Sequence, residues 1–98
     1  QIPDPVNTPE LRLEMNEGEH HQLIFELVAQ GKFEGGQTCK IDGIRVDFDD
    51  GFGLARASNT TPTVILRFEA DTQEGLERIQ ACYREQILAL RPKIQLPF

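Results

Sequence analysis

The run IRVDFDDGFGLARASNTTPTVILRFE, Ile44 to Glu69, has the pattern of successive strands joined by short connections. Ile44, Val46 and Phe48 alternate with Arg45, Asp47 and Asp49, the period-two signature of a half-buried strand. Asp50-Gly51 turns the chain, and Phe52 to Ala55 lead towards a polar stretch. Thr63 to Glu69 is the strongest strand, with Val64, Leu66 and Phe68 on one face and Ile65 and Arg67 on the other. Between the last two lies Arg56-Ala57-Ser58-Asn59-Thr60-Thr61-Pro62, seven residues that hold one guanidinium, three hydroxyls and one amide. A polar cluster mounted between two strands is a loop on a rigid support.

The chemistry of that cluster is the gripping of an oxyanion. Arginine offers a planar fork of donors that matches phosphate geometry. Serine and threonine add short hydroxyl donors, and backbone N–H groups in a tight turn converge on an anion as a nest. None of these groups is a good general base or nucleophile without a partner, so Arg56, Ser58, Asn59, Thr60 and Thr61 read as a binding loop. The plainer alternative is a polar turn that only joins two strands, since Ser, Asn, Thr and Pro are all turn formers. Arg56 speaks against it, because a turn needs no arginine at its entrance. Asn59-Thr60-Thr61 also fits a glycosylation acceptor, a reading set aside because no secretory signal pattern appears. Arg67 either points towards the loop or pairs across the sheet with Glu69 or Asp47.

Outward from this centre, Leu11, Leu13 and Met15 alternate with polar residues as another strand. Asn16 stands three residues before Glu19, the spacing of a capping box, and predicts a helix to about Ala29 with Leu23, Ile24, Leu27 and Val28 on its apolar face. Gly31 ends it. Thr38, Cys39 and Ile41 suggest a short strand running into an Asp42-Gly43 turn. Asp71 and Glu74 make a second capping box and open a helix to about Leu90, where Leu76, Ile79, Tyr83, Ile87 and Leu90 form one stripe. The expected fold is α+β, an antiparallel sheet with two helices on one face in the order β-α-β-β-β-β-α. Gln1 to Pro9 is proline-spaced and linker-like, so residues 1–9 are expected to be a hinge from a preceding domain and 10–98 the domain itself. The start at Gln1 suggests a segment of a longer protein.

Ninety-eight residues suffice for one hydrophobic core. A net charge of −6 speaks against nucleic-acid and membrane-surface partners, so an anion site here must be local. Cys39 and Cys82 lack a CxxC partner and are expected to be reduced, buried thiols of a cytoplasmic protein. Adjacent His20 and His21 project in different directions from a helix and lack HExxH spacing, so they read as a helix-surface histidine and a packing contact. Asp47-Phe-Asp49-Asp50-Gly51 begins like a calcium loop, but its glycine comes one residue early and no closing glutamate follows. Gly51-Phe-Gly53 is a broken dinucleotide-binding motif with Arg56 where the third glycine belongs. With only two neighbouring histidines, no Ser/His/Asp or Cys/His set can be assembled.

Asp42-Gly-Ile-Arg-Val-Asp-Phe48 followed by Asp50 to Ala70, with Ser-Asn-Thr-Thr-Pro at its centre, resembles the C-terminal domain of the α-D-phosphohexomutases. Within that family the Ser-Asn-Thr-Thr-Pro form is similar to the bacterial phosphomannomutase/phosphoglucomutase group. Thr8-Pro9-Glu10 and the Pro97-Phe98 ending are similar too. The resemblance implies a TATA-box-binding-protein-like fold, with no DNA binding attached to it. It implies a four-domain cytoplasmic enzyme that interconverts 1-phospho and 6-phospho hexoses of glucose and mannose through a phosphoserine and a bisphosphate intermediate. It places the substrate-phosphate contacts on Arg56, Ser58, Asn59 and Thr60, with Thr61 completing the turn. Asn59 and Thr61 stand where the wider family has Gly and Glu. The phosphoserine loop, the Mg²⁺ loop and the sugar-selecting loop are expected in other domains of the same polypeptide, so no catalytic residue and no cofactor is expected in this chain. An autonomous module that binds another anion or a partner's phosphate group is the alternative; a small self-sufficient enzyme lacks a base and a nucleophile.

Overall fold

Alternation, turn residues and one apolar stripe per helix place the elements in the order β1 (Val6–Asn7), β2 (Leu11–Glu14), α1 (Glu19–Gln30), β3 (Gln37–Cys39), β4 (Ile44–Phe48), β5 (Gly51–Ala57), β6 (Thr63–Ala70) and α2 (Gln73–Leu90). They are seen in a computed structural model that describes residues 5–40 and 43–98. All strand pairs are antiparallel. β6 is the strand on which the sheet is assembled: β5, β4 and β3 follow on one side, while β1 and β2 share the other. The expected α+β architecture stands, with one strand more than expected. Two residues such as Val6–Asn7 carry no readable periodicity, which is why the sequence shows only a linker there. Ile2 of the expected hinge, and Ile41 and Asp42 ahead of Gly43, lie outside the described residues.

β1 and β2 are not one continuous strand. Three residues, Thr8 to Glu10, face only Arg67 and Phe68 of β6, so the chain bulges between them. Pro9 has no N–H for the ladder. Thr8 compensates with both its backbone and its side chain: its N–H donates to the Phe68 carbonyl at 3.0 Å, and its Oγ1 accepts the Phe68 N–H at 3.2 Å.

One sheet face supplies Leu13, Ile44, Val46, Ala55, Val64, Leu66 and Phe68 to the core, and both helices close over it with Leu23, Ile24 and Leu27 from α1 and Leu76, Ile79, Tyr83 and Ile87 from α2. The other face, without helices, carries Arg45, Leu54, Arg56 and Arg67. Tyr83 is the largest fully buried side chain. Its ring packs on Phe33 at 4.7 Å and edge-on to Phe68 at 5.3 Å, and its hydroxyl donates to the Ile44 carbonyl at 3.1 Å. Gly53 makes room for it: a Cβ there would lie 2.3 Å from Tyr83 Cε1.

Both helix starts differ from the expected capping boxes. Gly18, left-handed at φ 88°, is the N-cap of α1, and Asn16 contributes only its carbonyl, which accepts the Glu19 N–H at 3.0 Å. The sharp reversal after β2 needs a positive φ, and glycine adopts one without strain. In α2 the cap is Thr72, whose Oγ1 accepts the Gly75 N–H at 3.0 Å. Asp71, one residue earlier, belongs to the end of the sheet, its N–H bonded to the Asp50 carbonyl at 2.8 Å. Cys82 is half-buried, but Cys39 is exposed on the edge strand β3, against expectation; both thiols are free. No helix among the described residues is long and apolar enough to cross a membrane.

Arg91, just past α2, clamps the two helices together. Its Nη1 and Nη2 donate to the two carboxylate oxygens of Glu26 at 2.9 and 3.0 Å, and its Nε stands 3.5 Å from Glu19. These bonds, with a further one from Gln22, hold the Glu26 carboxyl down from 4.5 to about 2. A carboxyl more acidic when folded stabilises the fold above its unfolded value and loses that contribution as pH falls through the folded one. Stability is therefore expected to decline from Glu26 as pH falls from about 4.5 to about 2. In thermal melts, the gap between wild type and Glu26→Gln should narrow through that window; a constant gap would refute the linkage.

Candidate functional site

Arg56 is not in the loop but in the strand before it. β5 extends to Ala57, and Arg56 sits opposite Ile65 in the β5–β6 ladder. Its backbone is therefore fixed by the sheet, while its side chain is exposed on the helix-free face. Among the described residues Arg56 makes no ion pair. That is informative in a chain with 16 acidic and 10 basic residues, where carboxylates are in excess.

The turn proper, Ser58 to Pro62, is organised around a buried hydroxyl. Ser58 Oγ accepts the N–H of Thr60 at 3.2 Å and that of Thr61 at 3.3 Å, and the hydroxyls of Thr60 and Thr61 each lie 3.3 Å from it. The Ser58 N–H closes the turn on the Thr63 carbonyl at 2.8 Å. Thr61 Oγ1 also reaches Thr63 Oγ1 at 3.0 Å, and the Pro62 carbonyl accepts the Met15 N–H at 2.8 Å, tying the loop to the end of β2. Ser58 thus shapes the loop from beneath, its hydroxyl engaged within the turn. The exposed groups are the Asn59 amide and the threonines Thr60 and Thr61.

At the end of β5 a cleft of about 440 Å³ opens, lined by His21, Ile24, Gly43, Arg56, Ala57 and Asn59. The structure brings Arg56 and Asn59 together there. Ser58 lies below the loop surface, and Thr60 and Thr61 form its outer turn. Arg67 stands on the same sheet face as Arg56, diagonally across the β5–β6 pair. The expected pairing of Arg67 with Glu69 or Asp47 is not formed: Asp47 is held by Arg45 at 3.1 Å, and Arg45 lies over the Phe52 ring at 4.2 Å. Arg67 has no ion pair among the described residues either.

Two lining residues escaped the sequence reading. Gly43, at φ 128°, lies where a Cβ would meet the Ala55 carbonyl at 2.4 Å and Arg56 Cβ at 2.9 Å, so only glycine lets the chain pass this close to Arg56. The register could have found it, since Ile44 opposite Ala55 puts Gly43 beside Arg56. His21 comes from the first turn of α1, and no local pattern connects it with a loop nearly forty residues away. Among the described residues no three His, Cys, Asp or Glu side chains gather to hold a metal ion. The arrangement is a recess on a fixed backbone with a guanidinium and an amide in its lining, and among the described residues it holds no nucleophile paired with a base.

Residues 10–86 match the family described as phosphoglucomutase/phosphomannomutase, C-terminal domain. The chain is 54% identical over 88 residues to a phosphoglucomutase of Neisseria meningitidis serogroup B, covering 88% of this chain and 19% of that protein. It is 42% identical over 97 residues to a phosphomannomutase/phosphoglucomutase of Pseudomonas aeruginosa, covering 99% of this chain and 21% of that protein. The crystal structure of a phosphoglucomutase/phosphomannomutase family protein from Burkholderia thailandensis superposes with a TM-score of 0.87 at 48% identity, over 98% of this chain and 20% of that one. The chain spans about a fifth of the length of the curated relatives it matches.

Proposed function

The chain belongs to the phosphoglucomutase/phosphomannomutase family as its C-terminal domain, and we propose that its loop from Arg56 to Thr61 clamps the non-reacting phosphate of a phosphohexose inside such an enzyme. The observation that carries this reading is Arg56 itself: a guanidinium anchored on a strand, without an ion pair among the described residues, at the mouth of a cleft it shares with Asn59.

In the full-length enzyme, a phosphoserine on another domain exchanges its phosphoryl group with one end of the sugar while this loop holds the phosphate at the other. The bisphosphate intermediate then turns around, so the loop receives phosphate from C1 in one half-reaction and from C6 in the other. Contacts confined to phosphate oxygens suit that demand, because they are the same at either end. Arg56 supplies the charge and the bidentate geometry, Asn59 and Thr60 add neutral donors, and Ser58 and Thr61 hold the turn in shape. Arg67 extends the positive field on the same face. Holding the remote phosphate orients the reacting end and lowers the entropy cost of the transfer. The domain closes on substrate about the chain ahead of Val6, because Val6 to Thr8 are tied to β6 and move with the sheet. Mg²⁺ belongs to another domain of this cytoplasmic enzyme, and the substrates are glucose and mannose 1- and 6-phosphates.

Titration of the chain with glucose 6-phosphate or mannose 6-phosphate, followed by backbone amide resonances, tests the assignment. Shifts are expected to centre on Arg56 to Thr61 with a Kd of about 1 mM or weaker, because one wall of the site is present alone. Shifts centred elsewhere would overturn it.

A further inference from the structure

We propose that His21 is an additional contact of the cleft, donating an imidazole N–H to the phosphate that Arg56 and Asn59 grip; the inference rests on the phosphate-clamp reading above. Of the six residues that line the cleft, only His21, Arg56 and Asn59 have polar side chains. They come from three places in the chain: the first turn of α1, the end of β5 and the loop beyond it. Convergence of a few polar groups from separate elements on one recess is the usual make-up of a ligand site.

The backbone of His21 is held in place, and its side chain is open to solvent. Its ring lies against that of His20 in a tilted contact, with centroids 4.1 Å apart and planes 40° apart, and His20 is 3% exposed. α1 in turn is fastened through Leu23, Ile24 and Leu27, all buried in the core. A donor carried on a backbone so anchored has only its side-chain rotamer to fix when it meets an anion. The one acidic residue of that first helical turn, Glu19, is engaged by Arg91 at 3.5 Å, on the clamp between the helices.

His21 is therefore a positioning and affinity group for the phosphate held at the cleft, acting alike in the ground and transition states. The test is steady-state kinetics of the full-length enzyme on glucose 1-phosphate with His21→Phe, which keeps an aromatic ring against His20 but no N–H, and His21→Gln, which keeps a donor. His21→Phe is expected to raise KM about 3- to 10-fold with kcat nearly unchanged, the scale of one hydrogen bond to a charged group in an open site. His21→Gln should recover a substantial part of that loss, with melting temperatures matching wild type in both. An unchanged KM in His21→Phe, or equal losses in both variants, would overturn the proposal. Arg56→Ala measured alongside separates the two levels: if it raises KM and His21→Phe does not, the clamp stands and His21 has no part in it. If neither variant moves KM, the clamp reading falls as well.

Discussion

Arg56→Ala in the full-length enzyme is expected to raise KM for a phosphohexose about 10- to 100-fold, the range for losing charge-assisted hydrogen bonds to a dianion. kcat should change far less. A group that holds the non-reacting phosphate binds substrate and transition state nearly equally, and removal of such uniform binding appears in KM. The fold should tolerate the change, since Arg56 contributes its backbone to the β5–β6 ladder and its side chain is exposed. Arg56→Lys should recover the charge but not the fork, leaving an intermediate KM. The same loss should be seen whether the 1-phosphate or the 6-phosphate is the varied substrate, because the clamp receives both ends of the sugar. Steady-state kinetics in both directions, with thermal melts of each variant, check this. An unchanged KM would remove Arg56 from the site, and a loss confined to kcat would place it at the reacting end instead.

What marked this candidate site in the sequence was local: a guanidinium and hydroxyls in seven residues, with strands on either side. Alternation revealed β2, β4 and β6, turn residues set off β3 and β5, and the three- and four-residue spacing from Leu76 to Ile87 revealed the buried stripe of α2. What stayed hidden depends on contacts between distant residues. β1 pairs with Glu69 and Ala70, and Asp71 is bonded to Asp50 at the end of the sheet while Thr72 caps α2, contacts that no local pattern announces. The position of Arg56 shows the division most clearly. Its residue type suits an anion, but only the pairing with Ile65 makes it a strand residue with a fixed backbone. Loop polarity alone does not convey that, nor does it tell that the loop's serine faces inward to organise the turn.

Stability should hinge most on Tyr83, where the core, the sheet and one tight glycine meet. Tyr83→Ala is expected to cost about 3–5 kcal/mol, the usual range for emptying a buried aromatic site. In a chain of this size that is a large share of the total, and each kcal/mol lowers Tm by about 4–8 °C. Tyr83→Phe keeps the ring contacts with Phe33 and Phe68 but loses the hydroxyl's bond to the Ile44 carbonyl, at a cost of about 0.5–1.5 kcal/mol. Gly53→Ala attacks the same point from the sheet side. Its methyl would stand 2.3 Å from Tyr83 Cε1, and a ring wedged between two other aromatic side chains has little room to retreat, so about 1–3 kcal/mol is expected. If the clash with the ring is the cause, Gly53→Ala should cost clearly less in a Tyr83→Leu background, where that ring atom is gone. Denaturant melts of the four chains measure this coupling directly. Additive losses would mean that Gly53 is required for the path of β5 itself, independent of the tyrosine that lies against it.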